Sequence, residues 1–471
     1  MNLIAEKQHA VEQNLVANAI IVEGLSQGPF TLAERMAHHK VPGLSVAVIN
    51  EGRIEWAKGY GVLEGDNEEP VTTDTLFQAA SISKPVAALG ALLLVEAGKL
   101  GLDEDVNTYL RGWRVPDSEH SAESKVTLRT LLTHTAGLTV HGFRGYAADE
   151  EVPSTLQVLD GLAPANSDPV RVDVPPGTLN RYSGGGYTVL QQLIEDVSGQ
   201  PFAEFMRENV LAPLGMESSG YEQPRATNLA ATGHREDGSP IVGRWHRYPE
   251  MAAAGLWTTP SDLARFAIEI QRSLAGESNK VLSSEMTQQM LTAHLSNWGL
   301  GPEVGGEGDT RRFLHGGSNE GFRCYFTAYC SNGQGLVAMT NSDSGSPLIM
   351  EVMRSVAEVY GWPDMRPVRK TRAAANPHLY LTFVGTYHLA DPELDIAITS
   401  EGERLFVQVL PGPRRPELHP ESELGYFVVD SGATVQFQPA NEGAVQALSI
   451  TFGEGGTFRA ERVAENGEKN G

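Results

Sequence analysis

Strand-forming segments stand at both ends of the first 365 residues, and a largely helical stretch separates them. Leu44-Ser45-Val46-Ala47-Val48-Ile49 and Arg53-Ile54-Glu55-Trp56-Ala57 flank Asn50-Glu51-Gly52, a hairpin signature. Strand character returns at 322–330 and at Leu336-Val337-Ala338-Met339-Thr340, joined by Ser331-Asn332-Gly333-Gln334-Gly335. A helix is expected at about 347–360, and an amphipathic helix over 6–23 opens the chain. Sequential strands pair without knotting, so the economical solution is an α+β fold. Its antiparallel sheet is assembled from both ends, with flanking helices and an inserted helical subdomain over about 85–290.

The remainder changes character. Leu405-Phe406-Val407-Gln408-Val409, Tyr426-Phe427-Val428-Val429, Thr434-Val435-Gln436-Phe437, Leu448-Ser449-Ile450-Thr451-Phe452 and Thr457-Phe458-Arg459-Ala460 are short strands divided by glycine-rich turns. They predict a small all-β barrel or sandwich over 378–465. A basic, proline-containing linker at 366–377 joins it to the first domain, 1–365. The linker's Arg366, Arg369, Lys370 and Arg372 are expected to dock on an acidic domain. Residues 465–471 are expected to fray.

Charge narrows the function. The 471 residues carry a formal net charge of −23, which argues against a nucleic-acid partner. No apolar run reaches membrane-spanning length, so no transmembrane segment is expected. The start, Met1-Asn2-Leu3-Ile4-Ala5-Glu6-Lys7, lacks the apolar stretch of a signal peptide. As written the chain reads as cytoplasmic; a removed signal peptide would make it periplasmic or secreted. Cys324 and Cys330 are the only cysteines. Six residues of strand hold their Cα atoms about 20 Å apart, beyond disulfide reach, so both are expected as free thiols.

Chemistry concentrates in three places. The first is Ser81-Ile82-Ser83-Lys84, followed by Pro85-Val86-Ala87-Ala88-Leu89 and an apolar run ending at Gly98. Proline is tolerated only in a helix's first turn, which pins the helix start close to Ser81. Three residues along a helix bring serine and lysine to one face, where a neutral lysine can take the hydroxyl proton. The plain alternative is a serine cap followed by an exposed lysine. The second place is Tyr182-Ser183-Gly184-Gly185-Gly186-Tyr187, opening another helix; a tyrosine near a cationic lysine ionises more easily and can serve as a base. The third is His315-Gly316-Gly317-Ser318-Asn319-Glu320-Gly321, whose glycines allow a ligand to approach the backbone. There the N–H of Ser318 could join that of Ser81 in holding an oxyanion, and His315 could orient substrate or relay a proton. Alone, the second and third segments also read as ordinary glycine turns.

Taken in this order, the segments resemble the boxes of the serine β-lactamase and penicillin-binding-protein superfamily. Its class C-like branch, with family VIII-type esterases and D-aminopeptidases, is the nearest in pattern. There the second box is Tyr-x-Asn and the third starts with Lys, His or Trp. The resemblance covers roughly 30–365 and includes Leu131-Leu132-Thr133-His134-Thr135-Ala136-Gly137-Leu138 and Gly255-Leu256-Trp257-Thr258-Thr259-Pro260-Ser261-Asp262-Leu263. It implies a transpeptidase-like fold with Ser81 as nucleophile. Lys84 and Tyr182 share the base role, with the division between them left open. The backbone N–H groups of Ser81 and Ser318 form the oxyanion hole, and His315, Gly317, Gly184 and Asn319 contact substrate. The last 90 residues resemble the lipocalin-like barrels appended to some D-amino-acid-directed peptidases of this group.

Two departures redirect the expected substrate. Gly184 stands where relatives carry the asparagine that contacts the substrate amide, and His315 replaces a carboxylate-binding lysine. Both point to amide, peptide or ester substrates, with β-lactam hydrolysis weak. The contrasting reading is a penicillin-binding sensor or scaffold that acylates without turnover. A small-molecule or peptide substrate is the expected partner, and homo-oligomerisation stays open. Gly24-Leu25-Ser26-Gln27-Gly28 matches a nucleophile elbow, but a helical pattern precedes it and Pro29 follows, so it is rejected. No metal-ligand or phosphate-loop pattern occurs, so no cofactor or metal is implied.

Overall fold

The computed structural model describes residues 3–25, 28–65, 68–222, 229–390, 393–439, 445–452 and 456–463. Ser26 of the rejected elbow and the expected frayed tail lie outside them. The backbone divides into two compact units, Met1–Gln8 with Ala33–Met353, and His9–Leu32 with Arg354–Gly471.

The first unit is built on the expected antiparallel sheet. Its strands are β1 (Gly43–Asn50), β2 (Arg53–Gly61), β3 (Glu303–Gly305), β4 (Arg312–Asn319), β5 (Phe322–Tyr329) and β6 (Gly335–Thr340). Their order is β2-β1-β6-β5-β4-β3, all neighbours antiparallel. The N-terminal hairpin thus pairs with C-terminal strands, Leu44 opposite Thr340 through Ile49 opposite Gly335. Glu51 and Gly52 turn the hairpin with φ of 53° and 68°, the left-handed pair a two-residue loop needs. β1 is buried on both faces, so it reads as a nearly continuous apolar run, broken by buried Ser45.

Helix α1 (Ser83–Glu96) carries the Ser-x-x-Lys lysine, α2 (Gly184–Ser198) follows the tyrosine box, and α3 (Met251–Ala254) is a single turn. Helix α4 (Pro260–Leu274) starts as its sequence predicts, with Thr259 capping the N–H of Asp262 and proline in the first turn. Its Leu263, Phe266, Ala267 and Ile270 share one core with Ala47, Phe313, Phe326 and Met339 of the sheet. Each such buried aliphatic side chain contributes about 1.5–3 kcal/mol. That core continues into α1 and α2 through Leu92, Leu190 and Leu193, so the helices bearing the chemistry rest on the sheet's own interior. Helix α5 (Gly345–Tyr360) completes the set.

The second unit contains a closed barrel of eight strands. Closure comes from pairing of Gly385–Ala390 with Thr457–Arg462. Its interior is filled with aromatic side chains, among them Phe383 and Phe437 stacked 4.2 Å apart. The single helix expected over 6–23 is instead a helix, Leu3–Gln13, and a strand, Ile20–Val22. The β-branched Ile20-Ile21-Val22 run favours strand and pairs in parallel with Val368–Lys370, burying Ile20 and Val22 against Phe427 and Val429. Lys370 of the basic linker pairs with Glu421 at 2.9 Å.

Phe266 is fully buried and meets the Phe326 ring edge-on at 5.6 Å. Phe266→Ala should lower unfolding free energy by about 3–5 kcal/mol in a denaturant titration.

Candidate active site

Ser81 lies in a 3-10 turn, Ala80–Ile82, that leads directly into α1. The turn is strained: Ala80, fully buried, has φ 49°. Two hydrogen bonds pin it. Ser83 Oγ donates to the Ala80 carbonyl at 2.5 Å and accepts the N–H of Leu256 at 3.0 Å. Buried Tyr221 donates to the Ser83 carbonyl at 2.9 Å. The serine is thereby held partly exposed at the mouth of a rigid helix.

Lys84 is 98% buried. Its Nζ lies 3.0 Å from Ser81 Oγ and 2.8 Å from the Ala253 carbonyl of α3. Burial disfavours the ammonium and lowers its pKa from 10.5 to about 7. Tyr182 stands on the other side, its ring centroid 4.8 Å from Nζ and its hydroxyl hydrogen-bonded to Ser81. Burial raises the tyrosine well above its ordinary 10, so the phenol is neutral; the Ser81 contact opposes this only in part. The lysine, and not the tyrosine, is the group poised to change charge near neutrality.

The third segment reaches the same place. The β4 edge packs against the Ser81 turn because Gly317 has no side chain. A Cβ there would sit 2.4 Å from the Ala79 carbonyl and 2.3 Å from Cys324 Sγ. β3 pairs only with Arg312 to Leu314, so beyond them no described strand covers that side of β4, and Gly316 and Ser318 are exposed. His315 is buried, and burial together with Lys84 lowers its pKa to about 3. Its Nδ1 lies 2.6 Å from the Gly316 carbonyl, which fixes the proton there and leaves Nε2 as an acceptor. Asn319 is buried, and its Nδ2 donates to Gln78 Oε1 at 2.7 Å and to the Ala254 carbonyl at 3.1 Å. Gly184 lies at the first turn of α2, with its N–H donated to the His141 carbonyl at 2.9 Å. Of the predicted site residues, Ser81, Lys84, Tyr182, His315, Gly317, Ser318 and Asn319 line one cavity of about 610 Å³ and Gly184 does not; His141, Phe143, Arg323, Tyr325 and Met350 also line it.

Two participants were not among the predicted site residues, one of them, His134, quoted only as framework. His134 stacks on Tyr182 at 4.2 Å and accepts the Ser183 N–H on Nδ1 at 3.1 Å, which fixes the tyrosine's orientation. Burial and Lys84 hold it neutral, its pKa well below 6.5. Its φ of 57° gives no signal in residue type. The other is the Ala253 carbonyl, invisible to any side-chain motif. Cys324 and Cys330 are free thiols; Cys324 is buried and donates to the Ala79 carbonyl at 3.0 Å, and burial raises both well above the ordinary thiol range.

Comparison with known proteins gives the family of the fold that carries this serine and buried lysine. The beta-lactamase family model matches residues 31–357, so the chain belongs to that family. It is 25% identical over 440 residues to penicillin-binding protein 4* of Bacillus subtilis (strain 168), spanning 88% of this chain and 93% of the relative. It is 26% identical to penicillin-binding protein 4 of Amycolatopsis lactamdurans, spanning 75% and 95%. In fold it is similar to the octameric penicillin-binding protein homologue from Pyrococcus abyssi, with TM-score 0.62, 21% identity and coverage of 91% and 98%. It is likewise similar to D-alanine carboxypeptidase AmpC from Burkholderia cenocepacia, at 0.58, 20%, 75% and 99%. Among the described residues no helix is long and apolar enough to cross a membrane.

The folded protein holds Lys84 neutral above about 7, whereas the unfolded chain keeps it protonated up to 10.5. Unfolding in that window takes up a proton, so this group's contribution to stability rises with pH from 7 to 10.5. Lys84→Met should therefore raise the melting temperature at pH 6, with a gain that shrinks steadily towards pH 10.

Proposed function

We propose that the protein is a serine hydrolase that works through an acyl-enzyme on amide, peptide or ester bonds. The carrying observation is the buried lysine amine 3.0 Å from Ser81 Oγ, with a pKa near 7. Neutral Lys84 accepts the Ser81 proton as Oγ bonds to the substrate carbonyl carbon. The backbone N–H groups of Ser81 and Ser318 then stabilise the oxyanion. As the scissile bond breaks, Tyr182 gives its hydroxyl proton to the leaving nitrogen or oxygen and recovers one from Lys84. Water attacks the ester in the second half, and Ser81 regains its proton as the acid departs.

His315 is the main support for the substrate class. A neutral imidazole supplies no positive charge to a substrate carboxylate, so this position favours substrates that do not depend on one. Asn319 acts as a positioning residue in this reading, tying β4 to α3 and to Gln78. Gly317 sets the approach of β4 to the Ser81 turn. The C-terminal barrel, with its interior occupied by aromatic side chains, is assigned no chemical step. Self-association joins the proposal on the strength of the octameric homologue of similar fold.

Ser81→Ala should abolish hydrolysis of p-nitrophenyl esters and the mass adduct with a slow acyl donor, with a melting temperature within a few degrees of the wild type. A lasting adduct without product release would instead support a sensor.

The pH profile separates the two bases. With Lys84 as base, kcat/KM rises about tenfold per pH unit below 7 and levels off above it. A rate still climbing at pH 10 would assign the role to Tyr182.

A further inference from the structure

The glycines after Tyr182 admit a strap formed by residues 139–143, which crosses the first turn of α2. Ser183 Oγ donates to the Thr139 carbonyl at 2.9 Å, and the N–H groups of Gly185 and Gly184 donate to the Val140 and His141 carbonyls at 3.0 and 2.9 Å. A Cβ on Gly185 would lie 2.8 Å from the Thr139 carbonyl oxygen and 2.9 Å from Val170 Cγ2. Val140 takes φ 65°, a conformation β-branched residues avoid and that persists only where the surroundings enforce it. The strained strap delivers two rings to the cavity wall. His141 lies 5.0 Å from the Tyr182 ring, and Phe143 lines the cavity itself.

Phe143 also occupies particular space. A Cβ on Gly184 would sit 3.0 Å from Phe143 Cε2 and 3.2 Å from the His141 carbonyl, so the ring fills the volume a side chain at 184 would enter. Among the lining residues Asn319 carries the only side-chain amide, and its Nδ2 is committed within the protein. The cavity's remaining large neutral side chains include Tyr325, Ile349 and Met350.

We propose that Phe143 is a specificity-determining residue that makes the acyl subsite apolar, so that the enzyme prefers esters and amides of apolar acyl groups over acyl groups bearing their own amide. This rests on the serine-hydrolase reading and names the substrate class of that site. One methylene in full contact with a matched apolar surface is worth about tenfold in kcat/KM, and a chain that meets a single ring edge in an open cavity gains about one such contact. The edge of Phe143, filling the space beside Gly184, presents a surface that rewards such groups.

The test is a p-nitrophenyl ester series, acetate, butanoate, hexanoate and phenylacetate, with the full-length protein. The wild type should favour hexanoate and phenylacetate over acetate by about tenfold. Phe143→Ala should reduce that ratio about tenfold, and Phe143→Leu should restore most of it. Gly184→Ala presses on the ring and should lower the ratio in the same sense, giving a second readout if Phe143→Ala folds poorly. Equal losses on acetate and hexanoate, or a wild type indifferent to chain length, would overturn the proposal while leaving an acyl adduct on Ser81 intact. Absence of any Ser81 adduct with all four esters would overturn both the proposal and the reading beneath it.

Discussion

The burial of one lysine amine between a serine hydroxyl and a helix-turn carbonyl is the constraint on which the rest of the site depends. An ammonium in that position loses its water, and the Ala253 carbonyl and Ser81 hydroxyl do not replace it. The group therefore titrates near 7 instead of 10.5. Burial acts on its neighbours in the same way. His134 and His315, both buried within the field of Lys84, are held uncharged. Tyr182, stacked on His134 and buried beside Lys84, keeps its proton. Around Ser81 the lysine, the tyrosine and both histidines can thus be uncharged together, and proton transfer between serine and lysine costs little desolvation beyond what folding has already imposed.

Close backbone approach is the second requirement, and glycine meets it at two points. At Gly317 the β4 edge comes against the Ser81 turn, where a Cβ would overlap the Ala79 carbonyl. At Gly184 and Gly185 the strap 139–143 comes against the first turn of α2. Strained backbone also occurs at the same places. Ala80 precedes the nucleophile and Val140 lies in the strap, both with positive φ. Such conformations cost about 1–3 kcal/mol each and endure only because hydrogen bonds on both sides fix them. The sheet core beneath, through Phe266, Phe326 and Met339, supplies the rigidity that makes this affordable.

Much of this was legible in residue order. The hairpin at Glu51-Gly52, the capped start of α4 and the sheet built from both ends follow from turn chemistry, capping and strand pairing. Ser81, Lys84 and Tyr182 could be brought together because spacing and a helix-start proline fix the first two, and the glycine run marks the third. The helix expected over 6–23 failed at Ile20-Ile21-Val22, where β propensity and a partner strand almost 350 residues away outweigh local periodicity. Barrel strands Gly385–Ala390 and Glu393–Glu401 escaped the sequence reading: the first is short, with few apolar residues, and the second opens with Glu393 and Asp395. His134, Phe143 and the Ala253 carbonyl were hidden for another reason. Their roles come from backbone conformation and from what packs across them, which no spacing rule encodes.

The claim at the centre is that Lys84 is neutral at physiological pH while poised on Ser81. Its side-chain Cε resonance, followed by NMR in lysine-labelled protein and assigned by its loss in Lys84→Met, measures this directly. The account predicts a titration midpoint near 7. A Lys84 midpoint at or above 9.5 would contradict it, because the amine would then be an ammonium throughout the working range and could not take the serine proton.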